Sequence, residues 1–184
     1  MQLEVRNFFG LVELIFTFVQ GSPARHAYFL EQQKILCPNS DALHLKGLSE
    51  TRWNCASALR RLSTERVFRA VIETVQHVSM TTTDGAVRGT AAGLLNSIST
   101  FKFIVCLELL SPVMEAVNNV SEALQTSSSS DILNAQTQLA ALTAELSILR
   151  SDDSYAAAFA TAEALAQQLD IDCALPVERQ RKLP

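Results

Sequence analysis

The stretch from Phe101 to Gln125 constrains this chain most. It contains no glycine and a single proline, Pro112. Phe101, Ile104, Val105, Leu107, Leu109 and Leu110 fall almost all round a 3.6-residue repeat, so the segment reads as a helix that runs through a core. Pro112 removes a backbone donor and should kink or divide it. A helix of this kind needs other helices to cover it.

The remainder of the chain has that pattern. Leu3–Gln20 reads as a first helix, apolar round most of its circumference and expected to be buried on more than one side. Its richest run, Phe8–Val19, is too short to span a bilayer and has Glu13 at its centre. Gly21 ends it, and Ser22–Pro23 opens a second helix to about Leu36, with Ala27, Leu30 and Phe29 inward. Cys37–Ser40 is a break, and Asp41–Leu48 a loop. Ser63–Glu65 gives a further start, and Val67–Val78 continues as a helix with Phe68, Val71, Ile72 and Val75 on one stripe. Met80–Gly89 is the least helical stretch. Ala86–Ser99 resumes weakly, since Gly89 and Gly93 each cost about 1 kcal/mol relative to alanine. Close helix approach is the alternative reason for those glycines.

Thr126–Ser130 is a polar connector, and Ser130 or Asp131 caps Ile132–Leu149, whose Leu133, Leu139, Leu142, Leu146 and Leu149 repeat at helical spacing. Ser151–Ser154 breaks and caps. Tyr155–Leu169 is the last helix, with Tyr155, Phe159, Ala162, Leu165, Ala166 and Leu169 on one stripe, and the two closing helices are suited to an antiparallel hairpin. The expected fold is an all-α bundle of seven to eight helices: one domain over residues 1–172 and a C-terminal tail over 173–184.

The 184 residues suffice for one sizeable core. Net charge is −4, which by itself gives no reason to expect nucleic acid, but its distribution is uneven. Lys46–Arg69 carries six basic and two acidic residues, whereas Glu108–Asp172 carries ten acidic residues and one basic, Arg150. Such a division either orients the molecule on a polyanion or reflects ordinary solvated helix faces. Cys37, Cys55, Cys106 and Cys173 stand singly, without the paired spacing of a zinc site, and Cys55 and Cys106, among apolar residues, read as buried thiols of a reducing compartment.

The segment Leu48–Leu62, LSETRWNCASALRRL, holds the only tryptophan, Trp53. With a helix start near Glu50, Thr51, Cys55, Ala58, Leu59 and Leu62 form a core stripe, and Trp53 and Arg60 fall nearly opposite it. An indole beside Arg52, with Arg60 and Arg61 following, is suited to hold a base or a phosphate. Packing of Trp53 on a second helical layer is the other reading.

Thr51–Asn54, TRWN, resembles the signature in the helical insertion of hAT-superfamily transposases. The wider chain is similar to transposon-derived relatives of that group, among them zinc-finger MYM-type proteins and the repressor-of-kinase-inhibitor proteins. The supporting segments are FFGLVELIFTFVQGSPARHAYFL, FKFIVCLELLSPVMEAVNNVSEALQ and LTAELSILRSDDSYAAAF. The resemblance implies a helical insertion from an RNase H-like enzyme, a nuclear location, and a tryptophan, Trp53, that stacks on a flipped base. It also implies that the two aspartates, the glutamate and the cysteine–histidine motif of the nuclease lie outside this chain. The arginine common two or three positions after the motif in MYM-type sequences is replaced here by Cys55 and Ala56.

The residues themselves offer no catalytic motif. HExxH, GxSxG, phosphate-loop and dinucleotide patterns are absent. His26 beside Arg25 reads as a surface histidine before a phosphate contact. Asp41, Glu50 and Asp84 have no strand to gather them round a metal. The expectation is a non-catalytic protein without cofactor, metal, small-molecule substrate or membrane. It contacts DNA through Arg52, Trp53, Arg60 and Arg61, or serves as an interaction module for a protein partner or a second copy. If one side of Leu3–Val19 normally faces missing strands, marginal stability or self-association should follow.

Overall fold

The computed structural model describes residues 2–48, 55–126 and 132–175. Over these the chain is all-helical, with eight helices: α1 Gln2–Gln20, α2 Pro23–Leu36, α3 Cys55–Leu62, α4 Glu65–Thr81, α5 Gly85–Ile98, α6 Phe101–Thr126, α7 Ile132–Leu149 and α8 Asp152–Gln168. The proposed caps of the helix before 149, Ser130 and Asp131, lie outside the described residues, as do Ser49–Asn54.

α6 is the axis of the bundle and touches α1, α3, α5, α7 and α8. Phe101, Phe103, Ile104 and Leu107 in its first half are buried. By length and composition α6 is also apolar enough to cross a membrane, with a mean hydropathy of 1.4. Here its first half forms the core instead. Pro112 neither ends nor divides it; the helix continues to Thr126. The turn before the proline carries an extra bond, in which the Ser111 hydroxyl donates to the Leu107 carbonyl at 2.7 Å.

Three aromatic rings join α1, α6 and α4. Phe103 lies 5.2 Å from Phe8 and 5.7 Å from Phe68, the latter pair stacked at 14°. α1 presents Phe8, Val12, Ile15, Phe18 and Val19 to this core. Phe9, Leu11 and Phe16 flank that face and pack against the core as well, so most of the apolar circumference is covered, and Leu14 stays exposed. In α2 the buried residues are Phe29 and Gln33, while Ala27 is exposed. Phe29 and Gln33 are four residues apart and share a face, from which Ala27 is turned away by about 200°.

Gln33 is wholly buried and polar, and its amide explains why. Its Nε2 donates to the Leu43 carbonyl, and its Oε1 accepts from the Leu43 N–H, both at 2.9 Å. The connector is fixed at two further points. The Leu48 N–H donates to Glu13 Oε2 at 2.8 Å, and Gly47 lies so close to Phe16 that a Cβ there would stand 2.7 Å from the ring. Leu45 between them is buried. The chain therefore approaches residue 49 along a fixed path over α1 and α2.

Only Thr82–Asp84 interrupts the helices in the stretch read as least helical, because Asp84 caps α5, its carboxylate accepting from the N–H groups of Ala86 and Val87 at 2.8 and 3.2 Å. Gly89 and Gly93 have open space where a Cβ would stand, so close packing does not account for them. Ser151 caps α8, as its sequence suggests. Ala162, Leu165 and Ala166 of that helix are buried, but Tyr155 is exposed, because the first turns of α8 extend past the covered part of the bundle. α8 ends with Asp170 at φ 55°, its N–H donating to Gln167 and that of Ile171 to Ala166. This is the reversal that closes many helices. It turns Leu169, Ile171 and Cys173 back onto the core, so the chain stays packed to the position where the tail was expected to begin.

Candidate functional site

Of the four residues singled out for DNA, Arg52 and Trp53 lie outside the described residues. Arg60 and Arg61 belong to α3, whose Ala58, Leu59 and Leu62 are buried and whose Arg60 faces outward, as the helical stripe requires. Cys55 sits half-buried on the inner edge.

Arg60 is paired with Glu115 of α6. With the two side chains 67 % and 43 % exposed, this pair adds little stability. It does place a carboxylate where a phosphate would otherwise meet the guanidinium. Arg69 of α4 is also engaged, with Glu65 at 3.2 Å and with the carbonyl of Gln168. There it supplies a cation to the C-terminal end of α8. The basic middle and acidic end of the sequence therefore meet inside one molecule. Arg61 and Arg66 have no ion-pair partner among the described residues.

Beside Arg60, the contact between α3 and α6 holds a polar group of its own. The Ser63 and Ser111 hydroxyls are 3.1 Å apart, and Ser63 also bonds to Glu108. Glu108 Oε1 is buried without a partner among the described residues. Burial pushes the Glu108 carboxyl above its usual range, against a smaller lowering by Ser63. An acid raised in this way keeps its proton in the folded chain at a pH where the unfolded chain has released it. Its contribution to stability is present at low pH and declines as pH rises through the raised value. Glu108→Gln should therefore raise Tm at pH 7.5, where the carboxylate must be charged in a partly buried place, and have little effect near pH 4. Thermal melts of both proteins at the two pH values measure this.

Burial pushes the Cys55 and Cys106 thiols up, away from the reactive thiolate. His26 and His44 lie 3.2 Å apart, but no three His, Cys, Asp or Glu residues converge to hold a metal ion. A cleft of about 360 Å3 between α2 and α4 has Tyr28 stacked on His77 at 4.2 Å. Its cation, Arg25, lies over the Phe18 ring at 4.3 Å.

α7 leaves apolar surface uncovered. Its inward edge, Ala135, Gln138, Leu142, Leu146 and Leu149, is half-buried, and none of its residues is fully buried. Leu133 and Leu139, read from the sequence as part of its inward stripe, are 70 % and 51 % exposed, and Ile132 and Ile148 are 73 % and 66 % exposed. α7 leans on α6 more than on α8, so the closing pair is a three-helix arrangement rather than a simple hairpin. The sequence does carry a sign of this face: α7 has one charged residue, Glu145, in 18. An outer face that met only water would be expected to carry several.

No protein-family model, curated protein or solved structure matches the chain.

Proposed function

We propose that this chain is a non-catalytic helical module that works by protein contact, with the outer face of α7 as its contact surface. One observation carries the reading: an 18-residue, nearly uncharged helix with four large aliphatic side chains more than half exposed. Leu133 and Ile148 lie on the outer face and Ile132 and Leu139 on its flank, and apolar surface left uncovered in this way marks a place of association. The pairing of Arg60 and Arg69 within the molecule supports this reading over a wholly electrostatic one. Leu133→Glu/Ile148→Glu should leave helicity and Tm within about 0.5 kcal/mol of the parent, because neither side chain holds the fold. The same variant should lose the bis-ANS fluorescence that the parent gives at nanomolar concentration. Equal dye binding by parent and variant would refute the reading.

Contact with DNA is the second reading. It rests on the resemblance of Thr51–Asn54 to the transposase signature and on Arg61 and Arg66, which have no internal ion pair among the described residues. A nuclear location belongs to this reading. Fluorescence anisotropy with a labelled duplex should show binding that weakens steeply with salt and falls at least tenfold on Trp53→Ala, about the loss of one stacked base. No binding at about 50 mM salt, or a Trp53→Ala protein that binds as the parent does, would remove it.

A further inference from the structure

The exposed side of α7 has a pattern of its own. Taking about 100° per residue, a strip centred about 30° from the direction opposite the half-buried edge holds Leu133, Thr137, Ala140, Ala141, Ala144 and Ile148, with Ser147 just beside it. All six are exposed. Their order is self-complementary when reversed. In an antiparallel pair of α7 helices crossing between residues 140 and 141, Leu133 meets Ile148, Thr137 meets Ala144, and Ala140 meets Ala141. Each large side chain then has a large partner at the end of the seam, and each small one a small partner at its centre. Small residues at the crossing let two helix backbones approach, and large ones at the ends cover the flanks. Glu145, the charge on this helix, lies about 90° from the middle of the seam and in this register is level with Gln136 of the second copy, so pairing does not bring two carboxylates together.

From this we infer that the partner of α7 is a second copy of the same chain, docked antiparallel about a two-fold axis at Ala140–Ala141. The inference rests on the reading of α7 as a contact surface and names its occupant. A two-fold interface requires one patch to complement itself, and this seam does. A partner of unlike sequence has no need of a face that reads alike in both directions. The dimension sets the strength. Eighteen residues make a helix about 27 Å long. One helix pair of that length covers less than the roughly 1,600 Å2 of a standard stable interface, which puts the dimer in the weak, transient class, with dissociation in the micromolar range or weaker.

Sedimentation of the full chain from about 1 to about 300 μM, a range that spans micromolar affinity, should show a monomer passing to a dimer and no larger species. Ala140→Glu places two carboxylates near the axis and should weaken the dimer at least tenfold. Circular dichroism of that variant should match the parent, since the position is exposed. Orientation is read with Leu133→Cys and Ile148→Cys proteins. Under mild oxidation, a mixture of the two should form a disulfide that joins position 133 of one chain to position 148 of the other. Peptide mass identifies it and separates it from bonds of the native cysteines. Neither protein alone should form a 133–133 or 148–148 bond. Such a bond would overturn the antiparallel seam. A monomer throughout the range would overturn the second copy as occupant. In that case, bis-ANS binding that depends on Leu133 and Ile148 would leave α7 as a contact surface for another partner, and its absence would end both readings.

Discussion

Phe68→Ala is expected to destabilise the chain by about 3–5 kcal/mol, the usual range for a buried phenylalanine cut to a methyl. Phe68 is wholly buried and stacks on Phe103, which in turn meets Phe8, so one ring completes the contact among three helices. No neighbouring element is free to collapse into the space: Val67, Ala70 and Val71 beside it are already buried and held by their own helix. A domain has a margin of about 5–15 kcal/mol, so the variant should lose about a fifth of it or more. Urea denaturation followed by far-ultraviolet circular dichroism gives the value. A loss below about 1 kcal/mol, the centre of the range for any point change, would mean that the Phe8–Phe103–Phe68 contact is not the centre of this core. Phe68→Leu, which keeps most of the volume, should cost markedly less.

Gln33→Leu is the second large effect, for the opposite reason. The volume is nearly conserved, so the loss comes from hydrogen bonding. Both polar groups of the Leu43 peptide lose their partner in a part-buried position. Each deserted group costs about 1–3 kcal/mol, which gives about 2–6 kcal/mol for the pair. The loss should also be local. Amide exchange at Leu43 and Leu45 should accelerate far more than exchange in α4 or α6, because the connector is fixed by only a few contacts. Uniform acceleration would show that the connector and the bundle open together. This contact leads into the segment that carries Trp53, so the same variant in the anisotropy experiment tests whether DNA contact depends on a fixed approach to residue 49.

The candidate site was legible only in part. That Arg60 faces away from the core followed from its angle to Ala58, Leu59 and Leu62. That it meets a carboxylate did not, because Glu115 lies 55 residues further on. The same holds for Arg69 and the Gln168 carbonyl, 99 residues apart. Charge counted along the sequence suggested two separate poles; folding brings the two stretches together and joins them. The expected uncovered face was on α1, from its nearly continuous apolar surface. α2, α4, α5 and α6 cover most of that surface, and an uncovered face belongs to α7 instead.

The sequence by itself determined the helical class, the position of nearly every helix and the two breaks at Cys37 and Ser151. These depend on a 3.6-residue repeat and on glycine, proline and serine acting over a few residues, which are local properties of the chain. Tertiary structure alone decided that Gln33 is buried, that Pro112 lies within an unbroken helix, that two arginines are paired inside the molecule, and that α7 keeps an apolar side in water. Each of those is set by what another helix places opposite the residue, and an amphipathic pattern states that a face seeks cover without stating which neighbour supplies it.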